Sequence, residues 1–228
     1  MNMVKAIIRK IWNDTPDVKT FILELEKNIP FKAGQFVMLK IDKERFNKLI
    51  PSRAYSIANA PNEKYEIKII AKIIPDSAFS QFLDKLNEHD ELEVLGPYGR
   101  FVLKENEAKS ITLIGAGTGI APLIGMMDFA LENNIEVDLF YCDKTEKDLI
   151  HKTEIEKLLN SKKIKGKIIV TRETSNYSGR INSDFLKSNI GPSDKYFICG
   201  PPKFVNEVVE NLENQGISEE DIKTERYG

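Results

Sequence analysis

Short alternating runs of apolar and polar residues fill the first hundred positions of the chain. Such runs begin at Val18, Gln35, Tyr65 and Leu92, and turn residues separate them. Because side chains alternate between the two faces of a strand, this period predicts β-strands with one buried face. The spacing predicts an antiparallel barrel or sandwich from residue 4 to about residue 103.

Beyond a polar segment at residues 104–109, buried strand candidates alternate with helical stretches. The strand candidates are 111–115, 137–142, 167–171 and 195–199, and the helices after them end near 133, 159, 187 and 215. This alternation predicts a parallel sheet covered by helices on both faces. We therefore predict an antiparallel β-barrel domain at 1–104 and a Rossmann-like α/β domain at 110–228. Alternating Ile222, Thr224 and Arg226 predict one more strand near the end.

Composition narrows the possible functions. The 228 residues carry a net charge of -2, so nucleic acid is not the expected partner. Two cysteines, Cys142 and Cys199, are too few for an iron-sulfur cluster, and no metal-ligand spacing occurs, so we expect no metal site. No apolar run is long enough for a membrane helix, and the first five residues do not resemble a signal peptide. We expect a cytoplasmic protein without membrane insertion.

The run Arg53-Ala54-Tyr55-Ser56 joins a cation, a flat ring and a hydroxyl. On a strand Arg53 and Tyr55 share a face, where arginine could bind a phosphate and tyrosine could pack on a ring system. An ordinary strand with a solvated arginine is the alternative. Further on, Asp76 or Ser77 could cap a helix whose first turn would suit a phosphate, although a capped surface helix explains the same pattern.

A glycine-rich loop runs from Gly115 to Pro122 between a predicted strand and a predicted helix. Its glycines would let the backbone approach an anion at the helix N-terminus. The spacing is G-x-G-x-G, without the acidic residue about twenty positions later that dinucleotide folds use, and without the lysine of a Walker loop. A glycine-rich turn without a ligand is the alternative.

The run Cys199-Gly200-Pro201 ends another predicted strand. Ligands collect at the carboxyl ends of strands in α/β sheets, so Cys199 should lie on the same edge as the glycine loop. Taken alone, a buried, unreactive cysteine is the usual explanation of such a residue.

In their order along the chain, these motifs resemble the ferredoxin-NADP reductase superfamily. The resemblance rests on Arg53 to Ser56, Ser77 to Leu83, Gly96 to Phe101, Gly115 to Pro122, Cys199 to Pro201, and the ending Glu225-Arg226-Tyr227. Two departures are Ser77, where the family usually has glycine, and Gly228, which follows the tyrosine. The resemblance implies an FAD-containing oxidoreductase with hydride transfer between nicotinamide C4 and flavin N5.

The resemblance also implies roles for particular residues. Ser56, Cys199, Glu225 and Tyr227 would be catalytic. FAD would be bound by Arg53, Ala54, Tyr55, Ser56, Ile70, Ala71, Lys72, Ala78, Phe79, Ser80, Thr118 and Tyr227. NADPH or NADH would be bound by Gly115, Gly117, Thr118, Gly119, Pro122, Thr171, Arg172, Cys199, Gly200 and Pro201.

The coenzyme and the electron partner are less defined by the sequence. Arg172, with Lys144, would suit the 2′-phosphate of NADPH, whereas Asp143 would repel it, and we favour NADPH over NADH. Ferredoxin, flavodoxin, an oxygenase component or another redox protein could be the partner. The alternatives are an NAD(P)H:flavin reductase that uses free flavin as substrate, and a non-catalytic subunit of a redox complex.

Overall fold

The structure is a computed structural model that describes residues 3–40, 52–175 and 177–227, so Gly228 lies outside the described residues. The first half of the chain forms a six-stranded antiparallel sheet in the order β4-β3-β6-β1-β2-β5. Its strands are β1 (Met3–Thr15), β2 (Val18–Leu25), β3 (Phe36–Lys40), β4 (Arg53–Ser56), β5 (Glu66–Lys72) and β6 (Glu91–Tyr98). The short helix α1 (Ala78–Asp84) lies between β5 and β6.

The two edges of this sheet meet just after β4. Ile57 forms an antiparallel bridge with Ile69 of β5, and the Ala58 N–H donates to the Lys68 carbonyl at 2.8 Å. These bonds close the sheet into a barrel, which leaves fewer unpaired edge groups. The alternating side chains of the strands fill its interior with aliphatic and aromatic residues, and the predicted antiparallel barrel is thus confirmed.

The second half forms a five-stranded parallel sheet in the order β11-β10-β7-β8-β9. The strands are β7 (Ser110–Ala116), β8 (Glu136–Asp143), β9 (Lys165–Val170), β10 (Lys195–Gly200) and β11 (Ile222–Arg226). The helices are α2 (Ile120–Glu132), α3 (Lys152–Asn160), α4 (Ser183–Asn189) and α5 (Pro202–Glu213). The predicted Rossmann-like arrangement is confirmed, with β9 ending one residue before Thr171. Within the described segments, no helix has the length and apolar character needed to cross a membrane.

Helix α2 joins the two sheets, because it is buried on both sides. A Cβ added at Gly125 would lie 2.8 Å from the Ile57 carbonyl oxygen, so only glycine lets the helix approach the barrel backbone this closely. Val18 and Ile70 of the barrel belong to the same apolar cluster as the residues that α2 packs against the parallel sheet. We propose the divisions 1–104 and 110–228 as domains, with this shared core between them.

Candidate functional site

The register of the parallel strands aligns four residues in one row across the sheet. Three of them were predicted as site residues, and the fourth, Tyr141, was not. Cys199 pairs with Gly115 on one side and with Glu225 on the other, and Gly115 pairs with Tyr141. The row lies at the carboxyl ends of the strands, where ligands collect in α/β sheets. Cys199 and the glycine loop therefore share one edge, as the sequence predicted.

The glycine loop packs directly on the neighbouring strand. A Cβ added at Gly119 would lie 2.3 Å from the Cys199 carbonyl oxygen, and one added at Gly115 would lie 2.9 Å from the Leu123 side chain. Gly117 has φ of +56° and faces open space, where a Cβ would meet only Asp143 Oδ2, at 3.9 Å. The loop is thus fixed against β10 at Gly119 and open at Gly117, and Pro122 lies buried in the first turn of α2.

Tyr227 connects the end of the chain to the barrel. Its N–H donates to the Gly200 carbonyl at 3.0 Å, and its phenol hydroxyl is hydrogen-bonded to the Ser56 hydroxyl of β4. Cys199 and Glu225 also lie against this phenol. Four residues predicted to be catalytic therefore meet around one oxygen atom, although Ser56 and Tyr227 are 171 positions apart.

Burial disfavours the charged forms of the residues in this cluster. Burial raises the pKa of Glu225 from 4.5 to about 7, and its Oε2 has no hydrogen-bond partner among the described residues. Burial, together with the charge of Glu225, raises the pKa of the Cys199 thiol, and burial raises that of the Tyr227 phenol well above 10. A thiol that stays protonated is a poor nucleophile, so the cluster is unsuited to covalent thiol catalysis.

A cleft of about 340 Å³ lies on the barrel side of Tyr227, which we call the barrel cleft. It is lined by Phe36, Ala54, Tyr55, Ser56, Ile70, Lys72, Ile74, Thr118, Ala121, Glu225, Arg226 and Tyr227. More than half of these residues are apolar or aromatic, and the polar groups are those of Ser56, Lys72, Thr118, Glu225 and Arg226. Such a composition is typical of sites for flat organic ligands.

A second cleft, of about 210 Å³, lies on the glycine-loop side and is called the loop cleft. Its lining residues are Asp17, Val18, Lys72, Ala116, Gly117, Thr118, Gly119, Asp143, Lys144, Asp148, Ile150, Gly200, Pro201 and Tyr227. Lys72, Thr118 and Tyr227 line both clefts. The ring of Tyr227 therefore lies where the two clefts adjoin.

The remaining residues predicted to bind FAD differ in their exposure to solvent, from the exposed Arg53 to the buried Ala71. Arg53 is exposed on β4, near enough for its charge to act on the Tyr55 phenol. Phe79 of α1 packs near Tyr55 with ring centroids 6.0 Å apart. The Ser80 hydroxyl donates to the Ile74 carbonyl at 2.8 Å, which turns this side chain inward. Ala71 is fully buried in the barrel, and Ala78 begins α1 after the Ser77 cap.

Thr171 and Arg172 lie beyond the end of β9, next to the loop that follows β8. The Arg172 N–H donates to the Lys144 carbonyl at 2.9 Å, and the Thr171 N–H donates to the Asp143 carbonyl at 3.0 Å. Both Lys144 and Arg172 are exposed. The Asp143 carboxylate instead accepts from the Tyr141 hydroxyl at 3.3 Å and from the Lys144 N–H at 2.8 Å. The two cations are therefore neighbours, with Asp143 oriented toward the glycine loop.

The sequence missed several lining residues. Phe36 and Ile74 border the barrel cleft, and Asp17, Val18, Asp148 and Ile150 border the loop cleft. A half-exposed aromatic such as Phe36 on the outer face of a strand is a detectable signal. The others carry no local pattern, because the cleft exists only where the two domains meet.

A larger cavity lies outside the two clefts, and the described residues offer no cluster of metal ligands. A cavity of about 730 Å³ lies along the linker, lined mainly by 105–109 and 133–135, and contains none of the predicted site residues. Within the described ranges, no group of three or more His, Cys, Asp or Glu residues is placed to hold a metal ion.

Comparisons with known proteins agree with this architecture. The family Oxidoreductase FAD-binding domain matches residues 6–103, and the family Oxidoreductase NAD-binding domain matches residues 113–210. NADH-cytochrome b5 reductase 2 of Yarrowia lipolytica is 34% identical over 164 residues, which cover 67% of this chain and 56% of that protein. Its counterpart from Meyerozyma guilliermondii is 30% identical over 209 residues, 86% of this chain and 70% of that protein. This chain thus spans little more than half of the Yarrowia protein.

Solved structures show the same fold. The flavohem-like FAD/NAD-binding domain of nitric oxide dioxygenase from Vibrio cholerae superposes with a TM-score of 0.88 at 21% identity, covering 99% of this chain and 98% of that one. A ferredoxin NADP+ reductase from Neisseria gonorrhoeae, with bound FAD and NADP, gives a TM-score of 0.84 at 22% identity, covering 99% of both chains. The chain belongs to the ferredoxin-NADP reductase-like family of FAD- and NAD-binding oxidoreductases.

Proposed function

We propose that this protein uses a bound FAD to pass electrons from NADPH to a separate redox protein. The observation that carries the proposal is the junction of the two clefts at Tyr227. The barrel contributes Ser56 to this junction, and the α/β domain contributes Cys199 and Glu225. A cofactor held by one domain and a coenzyme held by the other would meet there.

The residues present fit an FAD. The barrel cleft offers the flat face of Tyr55 and the aliphatic side chains of Ile70 and Ile74, while the buried, unpartnered Glu225 Oε2 is a polar group that a bound molecule could satisfy. Arg53 and the first turn of α1 would hold the pyrophosphate. When bound, FAD accepts a hydride from a nicotinamide and releases electrons one at a time or as a pair.

The chain itself orients the reactants and excludes water. In our proposal Ser56 holds the ring edge by its hydroxyl, and Cys199 packs as a neutral, compact side chain at the end of β10. Glu225, with its pKa of about 7, can hold or release a proton near neutral pH. Tyr227 occupies the space that both clefts share, so its phenol must leave Ser56 before the coenzyme ring can enter.

We infer that the coenzyme is NADPH, because Lys144 and Arg172 form a pair of exposed cations at the ends of β8 and β9. A 2′-phosphate would contact both, and arginine binds phosphate with two parallel hydrogen bonds. The two cytochrome b5 reductases described above are named as NADH enzymes, whereas the Neisseria reductase was solved with NADP, so the choice needs a test. Arg172→Gln should raise the KM for NADPH and leave that for NADH unchanged, whereas the exposed Lys187→Gln, with the same loss of charge, should change neither.

The acceptor in our proposal is a protein such as a ferredoxin, a flavodoxin or a small cytochrome. Ile74 lines the barrel cleft and is 49% exposed, which leaves an apolar group at its mouth. Lys72 and Arg226 line the same cleft, so an acidic docking surface would suit it. The relatives' names, cytochrome b5 reductase and ferredoxin NADP+ reductase, point to the same class of acceptor.

The visible absorption spectrum of the purified protein tests the proposal directly. We expect a flavin spectrum that NADPH bleaches in the absence of oxygen, faster than NADH does. Reoxidation by an added ferredoxin or cytochrome should then follow. A colourless protein that binds no FAD but reduces free flavin catalytically would replace the proposal by a flavin reductase, and absence of both activities would leave a non-catalytic subunit.

A further inference from the structure

A second buried cluster joins the two domains outside both clefts. On the barrel side, Trp12 Nε1 donates to Asp14 Oδ1 at 3.2 Å, and the Thr20 hydroxyl donates to Asp14 Oδ2. The Asp14 side chain is only 7% exposed. A buried carboxylate is thus held in place by two donors from β1 and β2, with His151 of the α/β domain packed against it.

His151 sits in an unusual backbone and side-chain environment. It precedes α3 with φ of 51° and ψ of 30°, in the left-handed region. Its ring packs edge-on against Trp12, with centroids 6.1 Å apart and planes at 84°. Nε2 is buried 3.8 Å from Asp14 Oδ2, too far for a hydrogen bond, and has no partner among the described residues. The ring is therefore packed against the carboxylate without a hydrogen bond to it.

The charges around the ring come from three elements. Asp14 faces the His151 ring from β1, and, in addition to burial, the charge of Lys68 on β5 lowers the pKa of the ring. Glu154 Oε2 of α3 lies 3.8 Å from His151 Nδ1. Burial lowers the pKa of His151, with Lys68 acting in the same direction and Asp14 and Glu154 opposing. The N-terminal end of α3 also disfavours a cation at this position. The neutral imidazole is thus the form that fits the packed junction.

His151 is directly connected to the wall of the loop cleft. The preceding residue, Ile150, lines that cleft, and its N–H donates to the Tyr141 hydroxyl at 3.0 Å. Tyr141 in turn orients Asp143 at the glycine loop. A displacement of His151 would therefore move Ile150 and disturb a hydrogen-bonded wall of the cleft.

We propose that His151 is a positioning residue that docks the α/β domain on Trp12 and Asp14 of the barrel while its ring is neutral, and that protonation loosens this junction and the loop cleft. The consequence for coenzyme binding rests on the function proposed above. The junction itself does not, so the two can be tested separately.

The composition of the chain makes the first test simple. It contains one tryptophan and two histidines, and the other histidine, His89, is exposed and also left-handed, with φ of 73°. Proton NMR of the FAD-loaded protein should show the His151 C2–H titrating below pH 6.5, the ordinary pKa of histidine. The Trp12 indole N–H should shift with the His151 midpoint, and His151→Asn should abolish that shift. A Trp12 signal that does not change with the protonation of His151, or a His151 midpoint at or above about pH 6.5, would overturn the proposal.

Asp14→Asn supplies a second variant, in which the amide oxygen can still accept from Trp12 and the amide nitrogen can donate to the Thr20 hydroxyl. Since the Asp14 charge favours the protonated ring, we expect the His151 midpoint to fall further in this variant. An unchanged midpoint would contradict the contact. This measurement decides the matter even if His151→Asn does not fold.

Kinetics then test the link to the loop cleft. In the parent the KM for the coenzyme should rise severalfold below about pH 6.5, the ordinary pKa of histidine, with kcat less affected. His151→Asn should lack that rise, because the asparagine side chain takes up no proton in this pH range. Asparagine also tolerates the left-handed backbone conformation. His89→Asn, the matched control, should follow the parent. Coinciding pH profiles of parent and His151→Asn would refute the link, whereas an enzyme that no nicotinamide reduces would refute only the proposed function.

Discussion

Replacing Glu225 by glutamine removes a carboxyl group whose pKa the fold raises to about 7. Burial raises its pKa from 4.5 to about 7, so the folded protein holds more protons on this group than the unfolded chain does between these values. The free energy of unfolding should therefore fall as the pH rises through this window, and the loss should be complete above it. Because Glu225 is partly accessible to solvent, screening reduces this effect, and we expect the free energy of unfolding to fall by about 2 kcal/mol.

Urea unfolding of the FAD-loaded protein at pH 5 and pH 8 measures this loss. We expect the decline in stability between the two pH values to be smaller by about 2 kcal/mol in Glu225→Gln than in the parent. Other titrating groups, such as Asp128 with a pKa of about 6, contribute equally to both proteins and cancel. Infrared pH-difference spectra of the same pair should show a protonated carboxyl that titrates near pH 7 only in the parent.

Glu213→Gln is the matched control, because Glu213 is an exposed carboxylate at the end of α5. The free energy of unfolding of Glu213→Gln should fall between pH 5 and pH 8 by as much as that of the parent. The reasoning is refuted if Glu225→Gln loses as much stability as the parent between pH 5 and pH 8. In that case Glu225 would be ionised in the fold, and its proton would not be available near neutral pH.

Two further substitutions test the site. In Gly119→Ala the new Cβ would lie 2.3 Å from the Cys199 carbonyl oxygen, so we expect a loss of about 1–3 kcal/mol of stability and weaker coenzyme binding, while Gly191→Ala, with no atom within 4 Å, should be neutral in thermal melts and titrations. Ser56→Ala removes the hydroxyl bonded to Tyr227 and should slow flavin reduction about tenfold in stopped-flow traces, with a smaller effect on FAD binding. Traces that match the parent would exclude a role for Ser56 in that step.

The strands of the parallel sheet were predictable because they are buried on both faces and read as continuous apolar runs. The last strand, β11, was visible in the alternation of Ile222, Thr224 and Arg226. Strand β1 is less regular. Its pairing with β2 shifts register between Ile8 and Lys10 and again near Thr15, so its polar residues do not alternate in one phase. A period of two cannot describe such a strand over its whole length.

The residues of the site, like the strands, were predictable from the sequence only in part. The glycine loop and the Cys199 run could be placed at one sheet edge, because the carboxyl ends of parallel strands coincide. The family resemblance assigned Ser56 and Tyr227 to one flavin site, but the contact between them was not predicted, since no local pattern relates residues so far apart. Asp17 and Ile150, which line the loop cleft, and the pair Trp12 and His151 could not be found, because each joins segments from both domains.

The contacts between the two domains differ in how easily they can break, and this difference suits the proposed reaction. Gly125 of α2 lies against the Ile57 backbone, and a Cβ added at Gly34 would lie 2.2 Å from the end of Met126. The Gly125 contact is with backbone atoms, so no side-chain rotation can release it. The bond between Tyr227 and Ser56 depends instead on one ring at the end of the chain, whose backbone stays tied to Gly200. The ring can therefore leave the junction of the clefts while the domains keep their arrangement, which is what entry of a coenzyme ring requires.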